Sequence, residues 1–173
     1  LNASTGRDST QYYVQLPKNR FRLWAFLESD RLAGPIFREF YSERDVVREE
    51  RRLRVETDPA SMLSEQFMAA VHSGSPYGSP VIGWPSDLDT LSREYLLAYF
   101  RHYYAPNNLV AVIIVDLQET QVRQIMQEYF GPIPRQPDPR PVFTRDTPPV
   151  GERRVEVVQE ARSRLMMGYP GPV

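Results

Sequence analysis

An α+β or α/β layer architecture is what this sequence predicts, and three observations carry that expectation. Stretches with helical spacing of apolar residues alternate with short β-forming runs. Gly and Pro are concentrated in a few segments, leaving long uninterrupted ones between them. Over 173 residues, 41% hydrophobic content with 12% aromatics is enough to build a core.

Ser9 to Leu16 is rich in β-formers and closed by Pro17, which predicts a strand. From Asn19, a plausible N-cap, Phe21, Leu23, Trp24, Phe26, Leu27 and Leu32 keep helical spacing until Gly34-Pro35. Ile36 to Thr57 holds no Gly or Pro and many Glu and Arg, so a long second helix is expected, ended by Asp58-Pro59. Pro59 to Val71 resumes the helical period with Met62, Leu63, Phe67 and Met68. Six Gly and Pro residues between Ser73 and Pro85 exclude a regular interior there and predict a loop. Ser92 opens a near capping box for a helix through Tyr103, stopped by Pro106. Leu109 to Val115 is an aliphatic run expected of a strand covered on both faces. Leu117 to Phe130 is again helical, with Gly131 at the C′ position. Seven of the sixteen prolines fall in 132–149, a stiff extended linker. Beyond it, Arg153 to Gln159 and Ser163 to Tyr169 predict a hairpin or neighbouring strands.

Composition excludes several chemistries. Lys plus Arg (21) nearly balance Asp plus Glu (22), so the chain lacks the basic field of a nucleic-acid binder. No apolar run approaches the length of a membrane span. The absence of Cys removes disulfides, thiolate zinc sites and a thiol nucleophile. His72 and His102 are the two histidines and fit no metal or triad spacing. Neither a Gly-x-Ser-x-Gly elbow nor a phosphate-binding glycine pattern occurs.

The long second helix carries the sharpest feature. Glu43 and Glu50 stand seven residues apart, which places them about 20° apart in azimuth and roughly 10 Å apart along the axis. Such a stripe could present a carboxylate to a metal, with a second one orienting it. By spacing alone, the many Arg residues of this helix favour a solvated face with pairs such as Glu50 with Arg54.

Five segments in order change that balance. Glu43-Arg44-Asp45-Val46-Val47-Arg48-Glu49-Glu50 resembles the Glu-Arg-x-Val-Val-x-Glu-Glu helix of the pitrilysin, insulinase and mitochondrial-processing-peptidase family. Asn2-Ala3-Ser4-Thr5 with Asp8, Thr10 and Tyr12 is similar to that family's substrate-facing strand. Pro76-Tyr77-Gly78-Ser79-Pro80-Val81-Ile82-Gly83-Trp84 resembles its Pro-Tyr-x-x-Pro-Val-Ile-Gly-Trp loop. Tyr103-Tyr104-Ala105-Pro106-Asn107-Asn108 and Tyr129-Phe130-Gly131-Pro132-Ile133-Pro134 resemble two further signatures.

The resemblance implies an α+β fold with a mixed, mainly antiparallel sheet covered by helices, a partial half-unit of the insulinase-like peptidase fold. It implies a zinc metalloendopeptidase acting on extended peptides or unfolded protein segments. An inverted His-x-x-Glu-His motif would supply two ligands and the base. Glu50 aligns with the third zinc ligand, Glu43 with a supporting carboxylate, and Asn2 and Ala3 with the edge strand that receives substrate. The His-x-x-Glu-His segment is not in this sequence, so this chain alone is expected to be inactive and not to hold zinc tightly. Its implied partners are that preceding segment and a C-terminal homologous half or a paired subunit. On this reading 1–131 is the core of a catalytic-type peptidase domain, 132–149 a linker, and 150–173 the first strands of the following block. The alternative is a non-catalytic homologous partner with a structural or substrate-presenting role. Relatives of this pattern suggest the bacterial envelope or periplasm.

Overall fold

A computed structural model describes residues 1–169. The last four positions of the block expected at 150–173 lie outside the described residues. Two strands, β1 (Asn2–Thr5) and β2 (Thr10–Tyr13), precede six α-helices. These are α1 (Phe21–Ala33), α2 (Phe40–Arg51), α3 (Pro59–Val71), α4 (Pro85–Thr90), α5 (Arg93–Tyr103) and α6 (Glu119–Phe130). The fold is α+β, and β1 and β2 pair as a two-stranded antiparallel hairpin. Its turn is closed by the Gly6 N–H donating to the Ser9 carbonyl at 2.8 Å.

The chain divides into two compact units. One comprises Leu1–Ser4, Thr10–Arg38 and Ser92–Pro141, and its core is the packing of α1 on α6. Phe21, Ala25 and Ile125 are buried there, and Trp24, Ile113, Val122, Met126 and Phe130 close around them. Ala25 is fully buried, because a methyl is all that the close approach of two helices leaves room for. Outside this core Arg22 grips Glu128 with two hydrogen bonds of 2.9 Å each.

The other unit comprises Thr5–Ser9, Glu39–Leu91 and the described residues from Val142 onward. Its α3 begins as the sequence predicts. The Asp58 carboxylate accepts from the N–H groups of Ala60 and Ser61, and Pro59 fills the first helical position, where no N–H is needed.

Several expected elements differ. Asn19 does not cap the first helix, because it lies in a 3-10 turn, Lys18–Arg20, tightened by the Arg20 N–H donating to the Pro17 carbonyl at 2.8 Å. The second helix starts at Phe40 and continues after Arg51 as a π-helical turn, Arg52–Glu56, in which the Thr57 N–H reaches back five residues to the Arg52 carbonyl. Gly131 ends α6 at φ −58°, so it is not a left-handed cap. Glycine is needed there because a β-carbon would collide with Gln127.

The largest departure concerns the sheet. Leu109 to Val115 and Arg153 to Tyr169 carry no strand pairing among the described residues. A strand exists only where a neighbour supplies the hydrogen-bond ladder, and a β-forming composition cannot supply one. Leu109 to Val115 is also covered on one face alone. Ile113 packs on the α1–α6 core, while Val110, Val112 and Ile114 are 89%, 82% and 96% exposed. The segment at 153–169 is held instead by side chains, with Arg153 donating to the Ala70 carbonyl at 2.8 Å and to Ser73 Oγ at 2.7 Å.

Truncating the central contact of the α1–α6 core tests this packing. Ile125→Ala is expected to lower unfolding stability by about 2–5 kcal/mol in a denaturant titration, through lost transfer energy and an unfilled cavity.

Candidate functional site

The acidic face of α2 forms as its register requires. Glu43 is exposed in the first turn, where a carboxylate meets the positive end of the helix dipole. Glu50 is half-buried and ion-paired to Arg54, one turn onward across the start of the π-helical turn, at 2.8 Å. Glu39, at the N-cap, accepts from the Ser42 hydroxyl through its carbonyl at 2.9 Å. No group of three or more His, Asp or Glu that could hold a metal ion is assembled among the described residues. Glu50 therefore offers one carboxylate rather than a complete donor set.

A neighbouring face of α2 holds a second charged group. Phe40, Val47 and Arg51 share one helical stripe, so an arginine falls on the apolar side. Arg51 is 4% exposed, and its guanidinium donates to both Glu65 oxygens of α3 at 2.8 Å and to the Gly83 carbonyl at 2.8 Å. Its Nε stands 3.3 Å from Glu56. The hydrogen bonds that Arg51 donates to Glu65 raise its guanidinium above the ordinary value. A cation on an apolar stripe was the available signal, since such a group is kept only when paired. Gly83 adopts φ +89°, a conformation that glycine reaches at little cost and that aims its carbonyl at Arg51.

The Gly- and Pro-rich loop is ordered by clasps within the same unit. The hairpin turn supplies one, as Arg7 donates to the Tyr77 carbonyl and to the Ser79 carbonyl at 3.1 Å, and the Tyr77 hydroxyl donates to Asp8. Asp146 supplies another. Its carboxylate accepts from Ser75 Oγ at 2.6 Å, from the Gly74 and Ser75 N–H groups at 2.8 and 3.0 Å, and pairs with His72 Nδ1 at 2.7 Å. The Ser75 hydroxyl donates to the carboxylate and not to the imidazole, so this is not a nucleophile relay. The Ser75 and His72 hydrogen bonds hold the Asp146 carboxyl well below the usual carboxylate range.

A cleft of roughly 470 Å³ lies beside α2 and α4, lined among others by Asp45, Arg48, Arg52 and Asp89. Arg48 pairs with Asp89 at 2.9 Å, and Arg52 with Glu49 at 2.9 Å, so the lining is largely self-compensated. Neither Glu43 nor Glu50 lines it. Asn2 and Ala3 lie on β1, exposed, with the Ala3 N–H donating to Asn2 Oδ1 at 2.8 Å.

Known proteins resemble much of this chain. Residues 90–172 match the family described as the peptidase M16 inactive domain. An uncharacterized zinc protease of Mycobacterium leprae is 29% identical over 133 residues, covering 76% of this chain and 30% of that protein. The zinc protease PqqE of Helicobacter pylori is 28% identical over 131 residues, covering 75% and 30%. A probable mitochondrial-processing peptidase subunit beta of Schizosaccharomyces pombe is 24% identical over 134 residues, covering 76% and 29%. The crystal structure of a protease from Helicobacter pylori superposes with a TM-score of 0.73 at 26% identity, covering 78% of this chain and 33% of that one. The chain thus spans about 30% of the length of these curated relatives.

The Asp146 clasp carries a pH dependence whose sign follows from its lowered pKa. A depressed carboxylate stabilises the fold fully above its unfolded value, near 3.9, and loses that contribution as pH falls toward the folded value. Asp146→Asn is expected to lower the urea unfolding midpoint at neutral pH. The wild-type advantage should shrink as pH drops below about 4, and equal midpoints at pH 7 would dismiss the clasp.

Proposed function

We propose that this chain, whose residues 90–172 match the peptidase M16 inactive domain and whose relatives are named zinc proteases, is the portion of a zinc metalloendopeptidase that supplies the third metal ligand and the substrate-binding edge strand. Extended peptides or unfolded protein segments are its substrates. The observation that carries the proposal is the Glu43–Glu50 heptad on one helical face, in a chain whose relatives are named zinc proteases.

The donor chemistry fits one position of such a site. Glu50 is an accessible carboxylate whose present partner is the more exposed Arg54. Zinc takes carboxylate oxygen readily, while two histidines and the base would have to come from a His-x-x-Glu-His segment, which these residues do not contain. When bound, zinc polarises the scissile carbonyl and lowers the pKa of its water. Glu50 supplies an oxygen lone pair, and Glu43, nearly in line one heptad earlier, adds negative potential that orients donors on that side. The strand of Asn2 and Ala3 offers main-chain donors and acceptors to an extended peptide, which accounts for acceptance of many sequences.

A second reading has its own support. The family model that matches 90–172 is described as an inactive domain, which favours a non-catalytic partner. That match leaves out Asn2, Ala3, Glu43 and Glu50.

Metal analysis of the full-length protein separates the two. Glu50→Gln is expected to abolish zinc retention and peptide cleavage together, and normal zinc content in that variant would overturn the ligand assignment. Glu43→Gln should lose most activity with weaker or partial metal loss, and full activity would reject its supporting role. A full-length wild type without zinc would favour the partner reading.

A further inference from the structure

We propose that Arg51 is a positioning residue for Glu50: its buried guanidinium, gripped by Glu65 and by the Gly83 carbonyl, fixes the azimuth at which α2 presents its acidic face. The inference rests on the reading of Glu50 as a zinc ligand. Glu50 and Arg51 are consecutive, so they leave the helix about 100° apart, one toward solvent and one into the second unit's interior. Whatever holds Arg51 against rotation therefore holds Glu50.

Contacts with two other elements oppose that rotation. The planar fork of Arg51 meets both oxygens of Glu65 on α3, its second direction is taken by the Gly83 carbonyl, and Glu56 lies 3.3 Å from Nε. The demand on precision is steep. Turning a helix by about 20° sweeps a side-chain tip some 5 to 6 Å from the axis through about 2 Å. Metal–ligand distances are held within about 0.2 Å.

Immediately after Arg51, the backbone becomes a π-helical turn at Arg52–Glu56. A wide turn is less constraining than an α-turn and often occurs at functional positions. Beside it, helix geometry alone would fix Glu50 poorly, and a side-chain anchor at Arg51 supplies the missing restraint. The anchor also ties Glu50's helix to the loop that carries Tyr77, which is clasped in turn by Arg7 and Asp8.

Arg51→Lys in the full-length protein tests the proposal, because lysine keeps the charge but cannot bridge two carboxylate oxygens and a carbonyl in one plane. The expected result is zinc affinity weakened about 10- to 100-fold in competition with a chelator. Altered visible d–d bands after Co²⁺ loading should accompany it, with far-UV circular dichroism unchanged. Wild-type zinc affinity and cobalt spectrum in a folded Arg51→Lys protein would overturn the proposal. If that variant does not fold, Glu65→Gln, which keeps side-chain volume, takes its place in both measurements, and wild-type values there overturn the proposal equally. Glu50→Gln run in parallel separates the readings. Zinc retained in Glu50→Gln defeats the ligand assignment and this inference with it, whereas zinc lost in Glu50→Gln but bound normally in Arg51→Lys defeats the positioning role alone.

Discussion

A guanidinium taken out of water has to be neutralised where it lies, and Arg51 places that requirement at the centre of the second unit. Its hydrogen-bond partners come from α3 and from the Gly83 loop, with Glu56 of the π-helical turn 3.3 Å from Nε, so one side chain helps determine how α3 and that loop meet α2. The geometry is bidentate and largely satisfied, which is the condition under which a buried ion pair is tolerated. Removing one partner would leave an uncompensated charge. The arrangement is therefore better understood as a specifier of register than as a source of net stability.

The loop from His72 to Trp84 takes its order from outside itself. Its prolines interrupt any regular hydrogen-bonded run, so beyond the 3-10 turn Pro76–Gly78 and a Gly83–Pro80 turn much of its shape comes from side chains in distant parts of the sequence. Asp146 and Arg153 fasten its start, Arg7 and Asp8 fasten Tyr77 and Ser79, and Arg51 fastens Gly83. Gly74 shows how close the approach is, since a β-carbon there would stand 3.0 Å from the Arg145 carbonyl oxygen. The described residues beyond Val142 cluster with the same unit as this loop.

Similarity to zinc proteases and an incomplete donor set are compatible. The chain corresponds to about 30% of relatives such as those of Mycobacterium leprae and Helicobacter pylori, and a zinc site built from several segments is expected to appear in part within any one of them. What this portion contributes on the proposed reading is a carboxylate at a defined azimuth and a strand edge. Both are positional contributions, and for that reason the packing behind α2 matters as much as Glu50 itself.

The sequence by itself determined most helices, because their periodicity, the Asp58 and Ser92 caps and the Gly and Pro stops are local properties. It also placed Glu43 and Glu50 on one face, since azimuth within a helix depends only on spacing. Tertiary structure decided what required a partner distant in sequence. Leu109 to Val115 has the composition of a strand, yet pairing is a property of two segments, and none is made there among the described residues. Spacing puts Arg51 on the apolar stripe of α2, but its partners Glu65, fourteen residues onward, and Gly83, thirty-two onward, came only with packing. Spacing records which side of a helix a residue occupies, and only packing decides which side is buried.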